Sequence, residues 1–297
     1  MEIDSRVYED LAVALDKLPN GYPRTSSGVE IRLLEALLTS EEAWLASQLS
    51  GQYEPVDTIA TRIGLTPRQT LARLGQLAER MAVLYDGSSG EHRFRLAPFV
   101  VGIYEGSLDR LDRRAAELME AYWAEAFGAQ VMGAQPALHR VVPAQESASP
   151  EWILPYDDVR AILLANQSFH VRDCVCRVER GLLGEGCSAP VHNCVSFSPV
   201  ARRPWPGDVS KEEALAILDQ AEEVGLVHTV TNVVEGVGYV CNCCGCCCGL
   251  LRGITEWGIA GSVARANNAP LRACVRVSMA SFHQAQSISW PVTLLWR

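Results

Sequence analysis

Cysteine is the residue type in this sequence with the clearest capacity for chemistry, because ten of the eleven cysteines lie in two short stretches. Four of them are spread over residues 174–194: Cys174, Cys176, Cys187 and Cys194. Six are crowded into the segment "CNCCGCCC" at 241–248: Cys241, Cys243, Cys244, Cys246, Cys247 and Cys248. Thiols this close together can ligate metal ions, form disulfides or take part in redox reactions.

Disulfide pairing is the least favoured of these uses. The N-terminal segment "MEIDSRVYEDLAVALDKLPN" is acidic and lacks the apolar run of a signal peptide, and no stretch of about 20 apolar residues predicts a membrane span. We therefore expect the protein in the reducing cytoplasm, where disulfides are rare. Neighbouring cysteines also form disulfides only with strained local geometry.

Iron–sulfur chemistry accounts better for the crowding. A 4Fe-4S cluster takes one thiolate on each of its four irons, and short Cys-x-Cys or Cys-x-x-Cys spacings let a loop wrap around it. Ten thiols can serve one or two such clusters, and zinc is the less favoured alternative because zinc sites usually separate two Cys-x-x-Cys pairs. The predicted metal ligands are Cys174, Cys176, Cys187, Cys194, Cys241, Cys243, Cys246 and Cys248.

Two thiols of the second stretch are harder to assign. Cys244 is a further candidate for the cofactor site, yet we expect Cys244 or Cys247 to be the thiols that ligate nothing, since neighbouring side chains cannot all face one cluster. Histidine can also ligate iron, but for His170, His192 and His228 a supporting role in the protein interior is the simpler interpretation.

The elements that precede the cysteines predict an α+β protein that begins with a winged-helix-like helical domain over 1–127. Thr66 and Pro67 open a helix after the turn at Gly64, which gives a helix-turn-helix, and two short strands around "GSSGE" complete a wing, together spanning 57–97. Residues 57–96 carry six arginines and four acidic residues, which is weak support for DNA binding. Docking of a partner or homodimer formation is the simpler role for this domain.

The remaining chain divides at its prolines. A long helix is predicted over 107–127, a linker with four prolines over 128–155, and a cysteine-rich α+β domain over 156–265. Ser210 and Glu213 form a predicted capping box for a helix over 211–224, and a β-hairpin follows that leads into the cysteine run. Residues 266–297 form a divergent tail.

The bulk composition fits a globular protein of about two domains. The 297 residues are 48% hydrophobic and carry a net charge of -9, which argues against a surface built to coat nucleic acid or anionic lipid. No Walker loop or dinucleotide fingerprint occurs, so substrate turnover is not predicted.

Several segments together resemble a family of bacterial and archaeal 4Fe-4S ferredoxin-type proteins. The segments are "GVEIRLLEALLTSEE", "PFVVGIYEG", "PYDDVRAIL", "DCVCR", "CSAPVHNC", "KEEALAILDQAEEVGLVH", "YVCNCCGCCCGLLRG" and "GIAGSVARAN", and the resemblance covers about residues 20–267. It implies that a ferredoxin module with Cys-x-x-Cys-x-x-Cys and a later Cys-Pro follows. Here the tail contains Cys274 alone, and we hypothesise a frameshift or truncation at this point.

The sequence therefore predicts a 4Fe-4S cluster-binding, ferredoxin-like electron-transfer protein that meets a redox partner protein. The alternative is a winged-helix transcription regulator that senses redox state or metal through the same cysteines, with iron–sulfur or zinc as the sensor.

Overall fold

The computed structural model describes residues 6–87, 89–143, 158–201, 204–233 and 236–265, and it confirms a mixed α+β architecture. The helices in the described part of the chain are α1 (Arg6–Asp16), α2 (Val29–Leu37), α3 (Ser40–Ser47), α4 (Val56–Ile63), α5 (Pro67–Glu79), α6 (Arg113–Tyr122), α7 (Gly128–Met132), α8 (Val159–Leu164), α9 (Val175–Leu182), α10 (Lys211–Glu223) and α11 (Gly249–Thr255). The strands are β1 (Glu54–Pro55), β2 (Val83–Asp86), β3 (Arg93–Leu96), β4 (His139–Val142), β5 (Ser168–Asp173), β6 (His192–Ser198), β7 (Asp208–Val209), β8 (Val227–Thr231) and β9 (Tyr239–Cys243).

Local capping residues fix where several helices begin. Thr39, Thr66 and Ser210 each accept a hydrogen bond from the backbone N–H three residues later, and the residue there returns a side-chain bond to the cap. Gly64 ends α4 with a φ of 70°, a conformation that favours glycine. The helix, turn and helix expected from the sequence thus lie at α4 and α5, and the expected hairpin lies at β2 and β3, to which β1 adds a third strand.

The cysteine-bearing strands belong to a six-stranded sheet of order β4-β8-β9-β6-β5-β7. Its strand pairs are antiparallel. The predicted hairpin before the cysteine run is confirmed, because β8 pairs with β9 and places Val227 opposite Cys243. Since β6 pairs with the other edge of β9, the sheet brings Cys194 of the first stretch beside Cys241 of the second.

Two apolar cores form around these elements. The larger core joins the N-terminal helices to Val175, Cys243, Cys248 and Leu250, whereas the smaller core packs α8 and α10 against the sheet through residues such as Leu163 and Leu218. The cysteine run is therefore packed against the N-terminal helices.

The middle of the chain differs from the sequence prediction. The helix expected over 107–127 begins at Arg113, because Asp112 accepts a hydrogen bond from the Ala115 N–H and so caps it, and a π-helical turn at Trp123–Phe127 carries it into α7. The predicted linker over 128–155 is wrong in its first part, since α7 and β4 occupy most of 128–142, and prolines such as Pro136 lie between elements. Residues 144–155 and the tail at 266–297, with Cys274, lie outside the described residues.

Most arginines of the helix-turn-helix and hairpin have contacts within the chain. Arg62 pairs with Glu54 at 2.6 Å and Arg73 pairs with Glu41 at 2.7 Å. Arg80 bonds Asp109, Arg93 donates to the Tyr53 carbonyl, and Arg95 lies over the Tyr53 ring. These contacts use much of the positive charge that DNA binding requires.

Candidate metal centre

Four thiols converge at the end of the cysteine run into what we call the outer group: Cys187, Cys244, Cys246 and Cys247. Their sulfur atoms all lie within 4.8 Å of one another. The Sγ of Cys187 lies 3.7 Å from the Sγ atoms of Cys244 and Cys247, and the Cys246 and Cys247 sulfurs are 3.8 Å apart. The group is accessible from solvent, because Cys187 and Cys246 are exposed.

The other six described cysteines form a second set, which we call the inner group: Cys174, Cys176, Cys194, Cys241, Cys243 and Cys248. They line one cavity of about 210 Å³ between the sheet and the N-terminal helices. The Sγ atoms of Cys194 and Cys241 lie 3.7 Å apart. Electrostatic interactions between neighbouring thiols continue the row from Cys241 through Cys243, Cys248 and Cys176 to Cys174.

The run "CNCCGCCC" serves both groups because neighbouring residues face different ways. Cys243 joins the inner group while Cys244 joins the outer one, and Cys247 and Cys248 divide in the same manner. Strand alternation gives the first of these divisions, and the start of α11 at Gly249 gives the second. The two groups are therefore adjacent along a single loop.

The loop is held in place by close packing at its glycines. A Cβ atom on Gly249 would lie 2.5 Å from the buried Trp123 ring, so only glycine lets α11 approach the N-terminal helices this closely. The Thr255 hydroxyl donates to the Gly245 carbonyl at 2.8 Å, which ties the end of α11 back to the run.

Arg177 is a buried cation that connects the strands carrying the cysteines. Its guanidinium donates to the Asn193 side chain at 2.9 Å, to the Asn242 carbonyl at 2.7 Å and to the Pro190 carbonyl at 3.0 Å. Its positive charge also acts on the thiol of Cys244 in the outer group. Arg177 is not among the site residues predicted from the sequence, and its place directly after "DCVC" is the signal that could have identified it.

The thiols of the outer group differ in their pKa values. The hydrogen bond from Cys247, with the nearby charge of Arg177, lowers the pKa of Cys244 to about 4 despite partial burial. Burial and the negative charge of Cys244 raise the pKa of Cys246 to about 11, and the interaction with Cys244 together with burial raises the pKa of Cys247. One thiolate is thus ready at neutral pH, and the thiolate is the form that binds metal.

The inner group shows the same kind of division. Interactions with the thiols of Cys241 and Cys248 lower the pKa of Cys243 to about 5, and the interaction with Cys241 also lowers the pKa of Cys194. The same interactions raise the pKa of Cys241. Desolvation opposes ionisation throughout this cavity.

Polar groups other than thiols also line the inner cavity. Asn193 is buried, and its Nδ2 has no hydrogen-bond partner among the described residues. Glu105 accepts a hydrogen bond from the Gly102 N–H at 2.7 Å, and burial raises its pKa to about 7. Arg172 and Ser196 line both this cavity and an open cleft of about 490 Å³ beside α5 and the β2–β3 hairpin.

The three histidines considered as ligands have polar partners other than the thiols. His170 contacts Asp208 at 3.0 Å, His192 contacts Asp173 at 2.7 Å, and the buried His228 contacts Asn242 at 2.7 Å. These contacts agree with the expectation that His228 supports the structure.

The structure brings all nine sequence-predicted cofactor residues into one of the two groups. Cys187, Cys244 and Cys246 lie in the outer group and the other six lie in the inner group. Cys244 and Cys247, the two candidates for a thiol that ligates nothing, both lie in the outer group, and the Cys247 sulfur lies at contact distance from two other thiols of that group. That expectation treated the run as the ligands of one cluster, whereas its thiols divide between two groups.

The fold and the site together define a cysteine-rich α+β protein with a thiol group positioned to bind a metal ion. No family model, curated protein or solved structure matches the chain. Within the described residues, no helix combines the length and the apolar character that crossing a membrane requires.

Proposed function

We propose that this chain is an iron–sulfur protein of the 4Fe-4S type, with one or two clusters, that transfers electrons. The observation that carries the proposal is the arrangement of ten thiols as two adjacent sulfur groups, both of which take thiols from the run at 241–248. A structural zinc site needs only four thiolates and gains nothing from a second sulfur group beside it. An electron-transfer protein, in contrast, can use a second sulfur-ligated centre beside the first.

The outer group fits a sulfur-ligated metal by its donor set. Its four donors are thiols, of which one is ionised at neutral pH, and sulfur ligands favour iron–sulfur clusters, zinc and copper(I) over magnesium or calcium. Cys187, Cys244, Cys246 and Cys247 would hold the group, and a bound cluster would supply one-electron redox chemistry. Because Cys187 and Cys246 are exposed, this end of the protein is where a redox partner protein can approach.

The N-terminal elements support a docking role better than a role in DNA binding. We interpret α4, α5 and the β2–β3 hairpin as a winged helix that docks a partner or a second copy of the chain in a reducing cytoplasm. The arginines with internal contacts weaken the regulator alternative, although the exposed Arg68 on α5 keeps it testable. Loss of salt-dependent duplex binding in Arg68→Ala would favour the regulator.

Zinc in the outer group is the second candidate, and one observation favours it. Four sulfurs held tetrahedrally at about 2.3 Å from a single ion are separated by roughly 3.8 Å, and three sulfur pairs of the outer group lie at 3.7 to 3.8 Å. A 4Fe-4S cluster places each thiolate on a different iron. It would therefore require the exposed Cys187 and Cys246 to move outward.

The test is metal analysis of wild-type protein and of a Cys244→Ala/Cys247→Ala variant, both purified without oxygen. Iron and acid-labile sulfide that fall in the variant would support a cluster in the outer group. If the wild-type protein contains about one zinc per chain and the variant contains none, the outer group is a zinc site and not a cluster site. Every described cysteine belongs to one of the two groups, so no Cys→Ala change can serve as a control. The control is Ser198→Ala, on the same sheet.

A further inference from the structure

The inner group differs from the outer group in how its sulfurs are spaced. Among the described residues, the outer four thiols are the only group of three or more metal-ligating side chains whose ligating atoms all lie within 4.8 Å of one another. The inner thiols are instead extended as a row around a cavity of about 210 Å³. Close pairs occur along the row, such as Cys194 and Cys241 at 3.7 Å, but no three inner sulfurs form a compact set.

This spacing is wrong for a single tetrahedral ion. Such an ion at about 2.3 Å from each sulfur needs four donors that are all roughly 3.8 Å apart. A polynuclear cluster has no such requirement, because each metal atom takes its own thiolate and inorganic sulfide bridges the metals. Six thiols around one cavity suit that second kind of ligand.

A further observation points to a ligand that accepts hydrogen bonds. Asn193 is only 2% exposed, and its Oδ1 accepts from Arg177 at 2.9 Å, which leaves Nδ2 as the donor on the other side of the amide. This Nδ2 has no partner among the described residues, and Asn193 lines the cavity. A buried donor without a partner is costly unless something accepts its hydrogen bond, and the sulfurs of an iron–sulfur cluster do so.

From these observations we propose that the inner group is a separate site for a polynuclear iron–sulfur cluster, held by thiolates drawn from Cys174, Cys176, Cys194, Cys241, Cys243 and Cys248 and hydrogen-bonded by Asn193. The site is distinct from the outer group and does not depend on which metal the outer group binds. Its position between the sheet and the N-terminal helices, with Cys243 and Cys248 buried, makes it less accessible to a partner than the outer group.

The first test compares two double variants after anaerobic reconstitution with Fe(II) and sulfide. The inner variant is Cys176→Ala/Cys243→Ala, and the outer variant is Cys244→Ala/Cys247→Ala. We expect the outer variant to retain on the order of four iron and four sulfide per chain. The inner variant should lose the same amount relative to wild type while any outer metal remains.

Two outcomes would overturn the inner site: an outer variant with no iron, or an inner variant with the iron content of wild type. The proposed role of the outer group fails separately, if the outer variant matches wild type in both iron and zinc. If the inner variant does not fold, the outer variant alone decides the question.

The second test uses Asn193→Asp, which keeps the acceptor for Arg177 but removes the Nδ2 donor. A lost hydrogen bond to cluster sulfur and an added negative charge both lower a reduction potential. We expect a more negative potential in the outer variant background, where only the inner cluster remains. Asn232→Asp, whose Nδ2 donates to the Ala137 carbonyl at 2.9 Å, is the matched control. An unchanged potential in Asn193→Asp would contradict the assigned hydrogen bond and with it the inner site.

Discussion

The contact between Glu120 and Arg252 should be the strongest single electrostatic link between the N-terminal helices and the helix that follows the cysteines. Arg252 on α11 is 7% exposed, and its guanidinium forms a two-pronged contact with the Glu120 carboxylate on α6, one prong at 2.9 Å. Arg180 approaches the same carboxylate at 3.3 Å. The Glu120 carboxylate is thus shared by two guanidinium groups. Each has a second carboxylate partner, Glu256 for Arg252 at 2.8 Å and Glu185 for the half-buried Arg180.

We expect Glu120→Gln to destabilise the protein by about 3 kcal/mol. Removing one partner of a buried ion pair costs roughly 3 to 5 kcal/mol because the other charge stays buried. The amide oxygen of glutamine still accepts one hydrogen bond and Glu256 still pairs with Arg252 at 2.8 Å, which places the effect at the lower end. The nearby Glu179 cannot take over, since burial raises its pKa to about 8 and keeps its carboxyl protonated at neutral pH. For a chain of this size, 3 kcal/mol lowers the melting temperature by roughly 5 to 10 °C.

Thermal and urea unfolding at pH 7 measure this effect, with both variants in the same metal-loading state. The control is Glu117→Gln on the same helix, whose partner Arg113 is 66% exposed and lies at 3.0 Å. An exposed pair of this kind contributes about 0.3 to 0.5 kcal/mol. The reasoning would be refuted if Glu120→Gln cost no more than Glu117→Gln.

Three further changes test other parts of the account. Glu179→Gln should stabilise the protein increasingly as pH rises from about 4.5 to about 8, by on the order of 4 kcal/mol at the upper end. Burial raises the folded-state pKa of Glu179, so the wild-type protein loses stability over that window. Urea unfolding at several pH values measures the stability difference, and a difference that does not change with pH would contradict this prediction. Ser210→Ala should cost about 1 kcal/mol through loss of the α10 cap, and an unfolding midpoint equal to wild type would count against that cap. Gly249→Ala should lower both stability and metal content, because its Cβ would lie 2.5 Å from Trp123; retention of wild-type metal content would show that this packing does not position the loop.

Local signals in the sequence identified much of the fold. The capping residues Thr66 and Ser210 predict helix starts that the structure contains, because a cap depends only on residues three positions apart. The helix after residue 107 was misplaced because apolar spacing continues upstream of Asp112, and the cap at Asp112 carries no glutamate or glutamine three residues later. Strand β4 was missed because four residues among prolines give too short a pattern.

The candidate site could be predicted by residue type but not by grouping. The crowded cysteines predict a metal site. Which thiols belong to the inner group and which to the outer group depends on how β9 ends and α11 begins, as the pairs Cys243–Cys244 and Cys247–Cys248 show. Likewise, Arg177 and Asn193 acquire their positions from the pairing of strands distant in sequence. Such contacts are set by the tertiary fold, and one sequence does not reveal them.

The most direct test of the central claim is anaerobic purification of the wild-type chain, followed by iron, zinc and acid-labile sulfide analysis together with a visible absorption spectrum. We predict a brown protein with at least about four iron and an equal amount of sulfide per chain. A colourless protein that contains zinc and neither iron nor sulfide would contradict the iron–sulfur account.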